Sequence, residues 1–430
     1  MSDILTSPRP SRFGRAVGFR LAGIGSYVPP QVVTNADLAR LGCDPQWIVE
    51  RSGIHERRHA PPEMATSDLA AAAGRAAIAH AGVETGDVDL LVLGTFTPDM
   101  CIPSAACIVQ EKLGLDAPAM DVTAACAGFA YALVTAAQFV ATGSSRLALV
   151  VGADTNSRVV DPDDIKTWPL FGDGAGAVLL EPVEPEPSGR ERGLLSFSLG
   201  SDGRGAGMLA CPMSGSWQPI TAEGAGRGDQ FLKMDGRAVF KWAIRLAEEN
   251  IRQVVERSGV PLEAIDLFVL HQANARIIEG ARTALGIDAD RFMVNLDRYG
   301  NTSSGSIPLA MDEAWRARQH RRGVRFRRRT RLGECRVEAV SEMRFHAQPG
   351  PCLHMPSRRT FATGILPFTH CMSAALRHPA CACFHSPREG MCRPDPRLIE
   401  KGRLRATRAP GAGVADKRRQ DAGALSASSE

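Results

Sequence analysis

The chain has 430 residues, 44% of them hydrophobic, which exceeds one ordinary domain, supports a sizeable core and excludes a chain disordered throughout. Its net charge of +4 is uneven: residues 318–430 hold 23 Lys and Arg against 9 Asp and Glu, leaving 28 against 38 before them, so the front carries −10 and the tail +14. Met1–Arg20 lacks an apolar signal core and no uninterrupted apolar span of about 20 residues follows, so no membrane segment is expected and a cytoplasmic protein is.

In chain order, Phe19-Arg-Leu-Ala-Gly-Ile-Gly-Ser-Tyr-Val-Pro alternates and then turns, as a first strand does, and Asn35 is a plausible helix cap. Trp47 and Arg51 stand four apart, on one face of a helix. Ser67–Ala81 reads as an alanine-rich helix and Val88–Gly94 as a buried strand, a βαβ rhythm that continues with Leu147–Ala153. The glycine cluster Gly172–Gly176 precedes a strand instead of opening a helix and is expected to be a tight turn. The proline run Glu181–Pro187 reads as a linker, after which Met234–Ala247 forms a long amphipathic helix ahead of the strand Ile265–Leu270.

Three stretches carry chemistry. Asp121–Leu133 predicts a short strand ending at Cys126 followed by an apolar, buried helix, a placement that favours thiolate through the helix dipole. His271 follows the strand Ile265–Leu270, and Asn301 follows Val294-Asn-Leu in Tyr299-Gly-Asn-Thr-Ser-Ser-Gly-Ser-Ile-Pro308. In a sheet covered by helices, sites gather beyond the C-terminal ends of strands, so the three segments are able to converge there. Singly, each residue also fits a bland role: a small core thiol, a core histidine, a turn asparagine. Together, a thiolate, an imidazole and an amide are able to form a thioester and stabilise an enolate oxygen.

These motifs, in this order and with the flanking stretches Trp47–Arg57, Pro103–Cys107 and Phe171–Gly176, resemble the β-ketoacyl-acyl carrier protein synthase III family of thiolase-like condensing enzymes, from about Phe19 to Ala317. The resemblance implies an α/β, thiolase-like fold of two similar βαβ-type halves packed as layered sheets and helices. Its parts are a flexible extension (1–18), a nucleophile-bearing half (19–187), a second, incomplete half (188–317) and a basic tail (318–430). It implies decarboxylative condensation of an acyl-CoA primer with malonyl-acyl carrier protein, with Cys126 as nucleophile and His271 and Asn301 as donors to the enolate. Trp47, Arg51, Gly236 and Arg276 would meet CoA or the carrier protein, and Ile102 would stand at the position where the family often limits the acyl pocket with a larger aromatic, so primers longer than acetyl are expected. The implied partners are acyl carrier protein, acyl-CoA and a second copy of the chain, without nucleic acid, membrane, metal or redox cofactor. A primer-loading acyltransferase of polyketide biosynthesis and an inactive carrier-binding remnant are the alternatives.

The family's ending, two strands and a glycine-rich loop, has no match in residues 318–430, whose Arg, Pro, Cys and His content points to disorder and to translation in another reading frame. Cys381, Cys383 and His385 lack the paired spacing of a zinc site.

Overall fold

The computed structural model describes residues 12–183, 191–321 and 360–362. The first part of the chain contributes strands β1 (Arg12–Val17), β2 (Phe19–Tyr27), β3 (Gln31–Thr34), β4 (Glu56–His59), β5 (Leu90–Gly94), β6 (Ala119–Val122), β7 (Ala148–Asp154) and β8 (Gly174–Pro182). Between them lie helices α1 (Pro45–Ser52), α2 (Thr66–Ala81), α3 (Ala105–Leu113) and α4 (Gly128–Ala141). The second part adds β9 (Gly193–Leu199), β10 (Leu209–Ala210), β11 (Lys233–Met234), β12 (Ile265–Val269), β13 (Phe292–Met293) and β14 (Thr360–Ala362). Its helices are α5 (Ala222–Gly226), α6 (Gly236–Ser258), α7 (Ala275–Leu285), α8 (Leu296–Tyr299) and α9 (Ser306–Arg321).

The main sheet has the order β2-β8-β7-β5-β6, parallel across β7, β5 and β6 and antiparallel where β8 joins β7 and β2. Strands β5 and β7 are buried on both faces, which is why they read as unbroken apolar runs instead of alternating ones. Leu91, Leu93, Leu149 and Val151 pack with α2 and α3, whereas Leu90, Val92, Ala148 and Val150 pack with α4 and α9. The second sheet, β13-β12-β14, is parallel throughout. Leu267 and Val269 of β12 join the α4 and α9 layer, while Phe268 packs with α6 and α7 on the far side. Five layers result, helix and sheet alternating, with α4 and α9 in the middle.

That position explains the composition of α4, which is apolar nearly all round because both of its sides meet a sheet. Phe129 is 1% exposed at its start, and truncating such a side chain to alanine costs about 3–5 kcal/mol. Helix α6, covered on one side only, instead repeats Ala243, Ala247, Ile251 and Val255 on its buried face.

The structure corrects several boundaries. Residues 12–17, expected in a flexible extension through residue 18, form β1, paired antiparallel with β9; Ala16 is buried and the Arg257 guanidinium lies 3.9 Å from the Phe13 ring centre. The ladder and these apolar contacts order the segment, and residues 1–11 lie outside the described residues. Of the linker 181–187, Glu181 and Pro182 end β8, and residues 184–187 lie outside the description. Helix α9 runs past residue 317 to Arg321, and Thr360–Ala362 pairs with β12. The expected disorder of the rest of 318–430, and the Cys381, Cys383 and His385 group, lie outside the described residues. The Gly172–Gly176 cluster leads into β8 instead of forming only a turn: a Cβ on Gly176 would stand 2.5 Å from the Leu309 nitrogen, so its glycine lets α9 cross the strand closely. Among the described residues, no helix is long and apolar enough to cross a membrane.

Candidate active site

Strand β6 ends at Val122, and a 3-10 turn, Ala125–Ala127, carries Cys126 to the start of α4. Ala125 adopts φ 46°, left-handed backbone that an alanine rarely takes. Facing it, Ser303 adopts φ 49° in the turn between α8 and α9. Two such residues store about 1–3 kcal/mol each, and the contacts between the two turns hold them: Ser304 Oγ donates to the Ala125 carbonyl at 2.9 Å, and Ser303 Oγ donates to Cys126 Sγ at 3.5 Å. Strain of this kind collects where a side chain has to be aimed.

Segment 301–306 also touches the other two residues. Asn301 Oδ1 accepts the Ser303 N–H at 2.9 Å, which fixes the amide's orientation and leaves Nδ2 as its donor side. Its backbone is clamped by Leu170 and Gly172 in a parallel bridge: Asn301 N–H to the Leu170 carbonyl at 2.8 Å, and Gly172 N–H to the Asn301 carbonyl at 3.0 Å. Ser306 Oγ lies 2.7 Å from Nδ1 of His271, two residues beyond the end of β12. One six-residue stretch therefore joins Cys126, Asn301 and His271, which come from the ends of three distant parts of the chain.

Beneath it sits Asp154, fully buried at the end of β7. One carboxylate oxygen accepts from the hydroxyls of Thr95 and Thr97 and from the N–H groups of Phe96 and Thr97, at 2.9–3.3 Å. The other accepts the Ser304 N–H at 2.9 Å. Burial raises its pKa above the usual carboxylate value, while the Phe96 and Ser304 hydrogen bonds hold the rise back. Gly152, two residues earlier, admits the turn from above: a Cβ there would lie 2.3 Å from the Ser304 carbonyl oxygen.

Burial also sets the protonation states. It pushes the Cys126 thiol up to about 12; the Ser303 hydrogen bond opposes the rise and the nearby Asp154 charge adds to it. The helix start was expected to favour thiolate, and complete desolvation of the sulfur outweighs that. Burial pushes His271 down to about 4, so it is a neutral imidazole near pH 7.

The profile of 3-oxoacyl-[acyl-carrier-protein] synthase III matches residues 120–203, and that of the synthase III C-terminal domain matches 255–326. The β-ketoacyl-[acyl-carrier-protein] synthase III of Rhodopirellula baltica is 50% identical over 323 residues, covering 72% of this chain and 94% of the relative. The chain belongs to the β-ketoacyl-acyl carrier protein synthase III family. The synthase III of Natranaerobius thermophilus is 44% identical over 298 residues, 69% of this chain and 90% of the relative. Among solved structures, the Thermus thermophilus synthase III superposes with TM-score 0.63 at 42% identity, covering 70% of this chain and 91% of that one. The priming β-ketosynthase of the R1128 polyketide pathway gives TM-score 0.62 at 34% identity, covering 70% and 89%.

The substrate-binding residues read from the synthase III resemblance fall into two groups. Trp47 and Arg51 share the exposed face of α1, the guanidinium 5.3 Å from the Trp47 ring centre. Arg276 begins α7, exposed, over the Phe240 ring at 5.3 Å. These two helices meet, since Asn274 Nδ2 donates to the Arg51 carbonyl at 3.1 Å. Gly236, exposed, starts α6 behind the Asp235 cap, four residues before Phe240. Ile102 stands apart: it is 85% exposed on the loop between β5 and α3, so within this chain it does not limit a pocket around Cys126.

Sequence reasoning left out Ser303, Ser306 and Asp154. A signal for the serines was present, three Ser in the four positions 303–306 at the start of a helix, and for Asp154 a carboxylate closing an apolar strand. Neither pattern says what the side chain touches.

Proposed function

We propose that this chain condenses an acyl-CoA primer with malonyl-acyl carrier protein to give a 3-oxoacyl-acyl carrier protein, the reaction by which synthase III enzymes initiate fatty acid synthesis. The observation carrying this reading is the 301–306 turn, which bonds to Cys126 and His271 and orients Asn301. In the first half, Cys126 Sγ attacks the primer's thioester carbonyl, a new C–S bond forms, and CoA leaves as its thiol with the cysteine proton. In the second, the malonyl C–C bond breaks to release CO₂, and its electron pair becomes a thioester enolate. His271 and Asn301 donate to the enolate oxygen, each such donor contributing about 2.7–4 kcal/mol to transition-state stability. The enolate carbon then attacks the acyl-Cys126 carbonyl, the C–S bond breaks, and the departing thiolate takes up one proton from solvent, replacing the one that left with CoA. Decarboxylation drives the condensation, so the reading requires no metal or redox cofactor.

Acyl carrier protein and acyl-CoA are the partners in this reading, approaching over Trp47, Arg51 and Arg276, and the reaction takes place in the cytoplasm. A homodimer belongs to it as well, and the exposed Met100 and Ile102 are apolar side chains that such an interface would cover. Intact-mass measurement after incubation with a panel of acyl-CoAs tests the first half, and CO₂ release from malonyl-acyl carrier protein tests the second. Cys126→Ala is expected to abolish both acylation and condensation. Acylation without CO₂ release would instead support primer loading, and acylation of the Cys126→Ala protein would place the nucleophile elsewhere.

A further inference from the structure

We propose that Ser306 is a positioning residue that selects the tautomer of His271, keeping Nδ1 as an acceptor and the ring proton on Nε2. The inference rests on reading the site as a condensing centre, where an imidazole has to present a donor to a developing enolate oxygen. An Nδ1–H tautomer would turn the Nε2 lone pair toward that oxygen and repel it.

Ser306 is the first residue of α9 and is buried. Its Oγ accepts the Gln272 backbone N–H at 3.4 Å and lies 2.7 Å from His271 Nδ1. A hydroxyl has one proton to donate. Among the described residues, Nδ1 is the acceptor within its hydrogen-bond reach. With Nδ1 bare, both protons at Ser306 have acceptors: Gln272 N–H donates to Ser306 Oγ, and Ser306 O–H donates to Nδ1. With Nδ1 protonated, the oxygen's two lone pairs accept both N–H groups, but the buried hydroxyl proton loses its acceptor. A lost buried hydrogen bond of that kind biases the tautomers by about tenfold or more.

The donor feeding Ser306 is itself held rigidly. The Gln272 side chain donates through Nε2 to the carbonyls of Leu270 at 2.8 Å and Met293 at 3.2 Å, and its Oε1 accepts the Asn295 N–H at 3.0 Å. Gln272 is thus tied to the ends of β12 and β13, and its backbone N–H stays aimed at α9. The relay runs from the second sheet through Gln272 and Ser306 to the imidazole. It matters because a neutral histidine has two tautomers, and one of them is the wrong donor.

The test is the tautomer itself, read from two-bond 15N–1H correlations on the full-length protein with 15N-labelled histidine rings. The His271 signals are assigned by their loss in His271→Gln. The expected result is a proton on Nε2 in the unmodified protein, a shift toward Nδ1–H or a mixture in Ser306→Ala, and a return to Nε2–H in Ser306→Thr, which keeps the hydroxyl. Decarboxylative turnover should fall about tenfold in Ser306→Ala at unchanged KM for malonyl-acyl carrier protein and recover in Ser306→Thr. An Nδ1 proton in the unmodified protein overturns the proposal whether or not the variants fold, as does a Ser306→Ala protein with the original tautomer. The expected tautomer in a protein that releases no CO₂ would support the Ser306 assignment and overturn the condensing reading alone.

Discussion

Gly152→Ala adds one methyl group beneath the 301–306 turn, and the structure sets the size of the effect. The new Cβ would lie 2.3 Å from the Ser304 carbonyl oxygen, 2.9 Å from the Ser304 carbonyl carbon and 2.9 Å from the Phe129 Cβ. Ordinary contact begins near 3.4 Å, so the turn or β7 has to yield by about 1 Å. β7 is paired on both sides by β5 and β8, and the turn is the freer element. Overpacking of this kind costs about 1–3 kcal/mol of stability. Because Ser303, Asn301 and Ser306 move with Ser304, a displacement of about 1 Å should lower condensation about a hundredfold, far more than the stability loss explains. Gly86→Ala is the control, since its Cβ meets nothing within 4 Å and its φ is not positive. The assays are urea unfolding and CO₂ release from malonyl-acyl carrier protein. Gly152→Ala with stability and rate equal to the Gly86→Ala control would refute the claim that the turn is seated on β7.

Asp154→Asn should unfold at clearly lower urea, by about 3 kcal/mol, because an amide turns a donor toward N–H and O–H groups that now meet an acceptor; unchanged stability would show the network is not tight. Alkylation of Cys126 by iodoacetamide, followed by peptide mass spectrometry, should keep accelerating with pH through 9, since burial holds the thiol near 12; a plateau below pH 7 would show a resting thiolate. His271 and His59 are both pushed down to about 4 by burial, so between pH 6.5 and 4 the unfolded chain binds protons that the folded one does not. Stability should therefore fall as pH falls through that window, by about 1.4 kcal/mol per unit per histidine, with a shallower slope in His271→Gln; equal slopes would contradict it. His271→Ala and Asn301→Ala should impair CO₂-releasing condensation more than Cys126 acylation, and equal losses would contradict the division of roles. Resequencing the gene tests the reading of residues 318–430: another frame encoding a glycine-rich ending is expected, and an intact frame without one would sink the idea.

The sequence by itself determined the βαβ rhythm, because β5 and β7 are short apolar runs and α2 and α6 carry helical periods. It also singled out Cys126, His271 and Asn301, each at the end of a recognisable element. Local signals failed where a side chain found a distant partner. Asn35, read as a helix cap, makes no capping bond; it accepts from Arg57 and donates to the Ile54 carbonyl. Ser67, where the sequence reading starts the helix, lies inside α2 and bonds to Asp99. The same cause hid the residues that aim the site. A hydroxyl or carboxylate in sequence has no direction, and only the close approach of β7, the Cys126 turn and the 301–306 turn assigns Ser303 to sulfur, Ser306 to the imidazole and Asp154 to the turn between them. Burial is tertiary as well: the helix start at Cys126 is visible in the sequence, but the desolvation that keeps its thiol protonated comes from the layers packed around it.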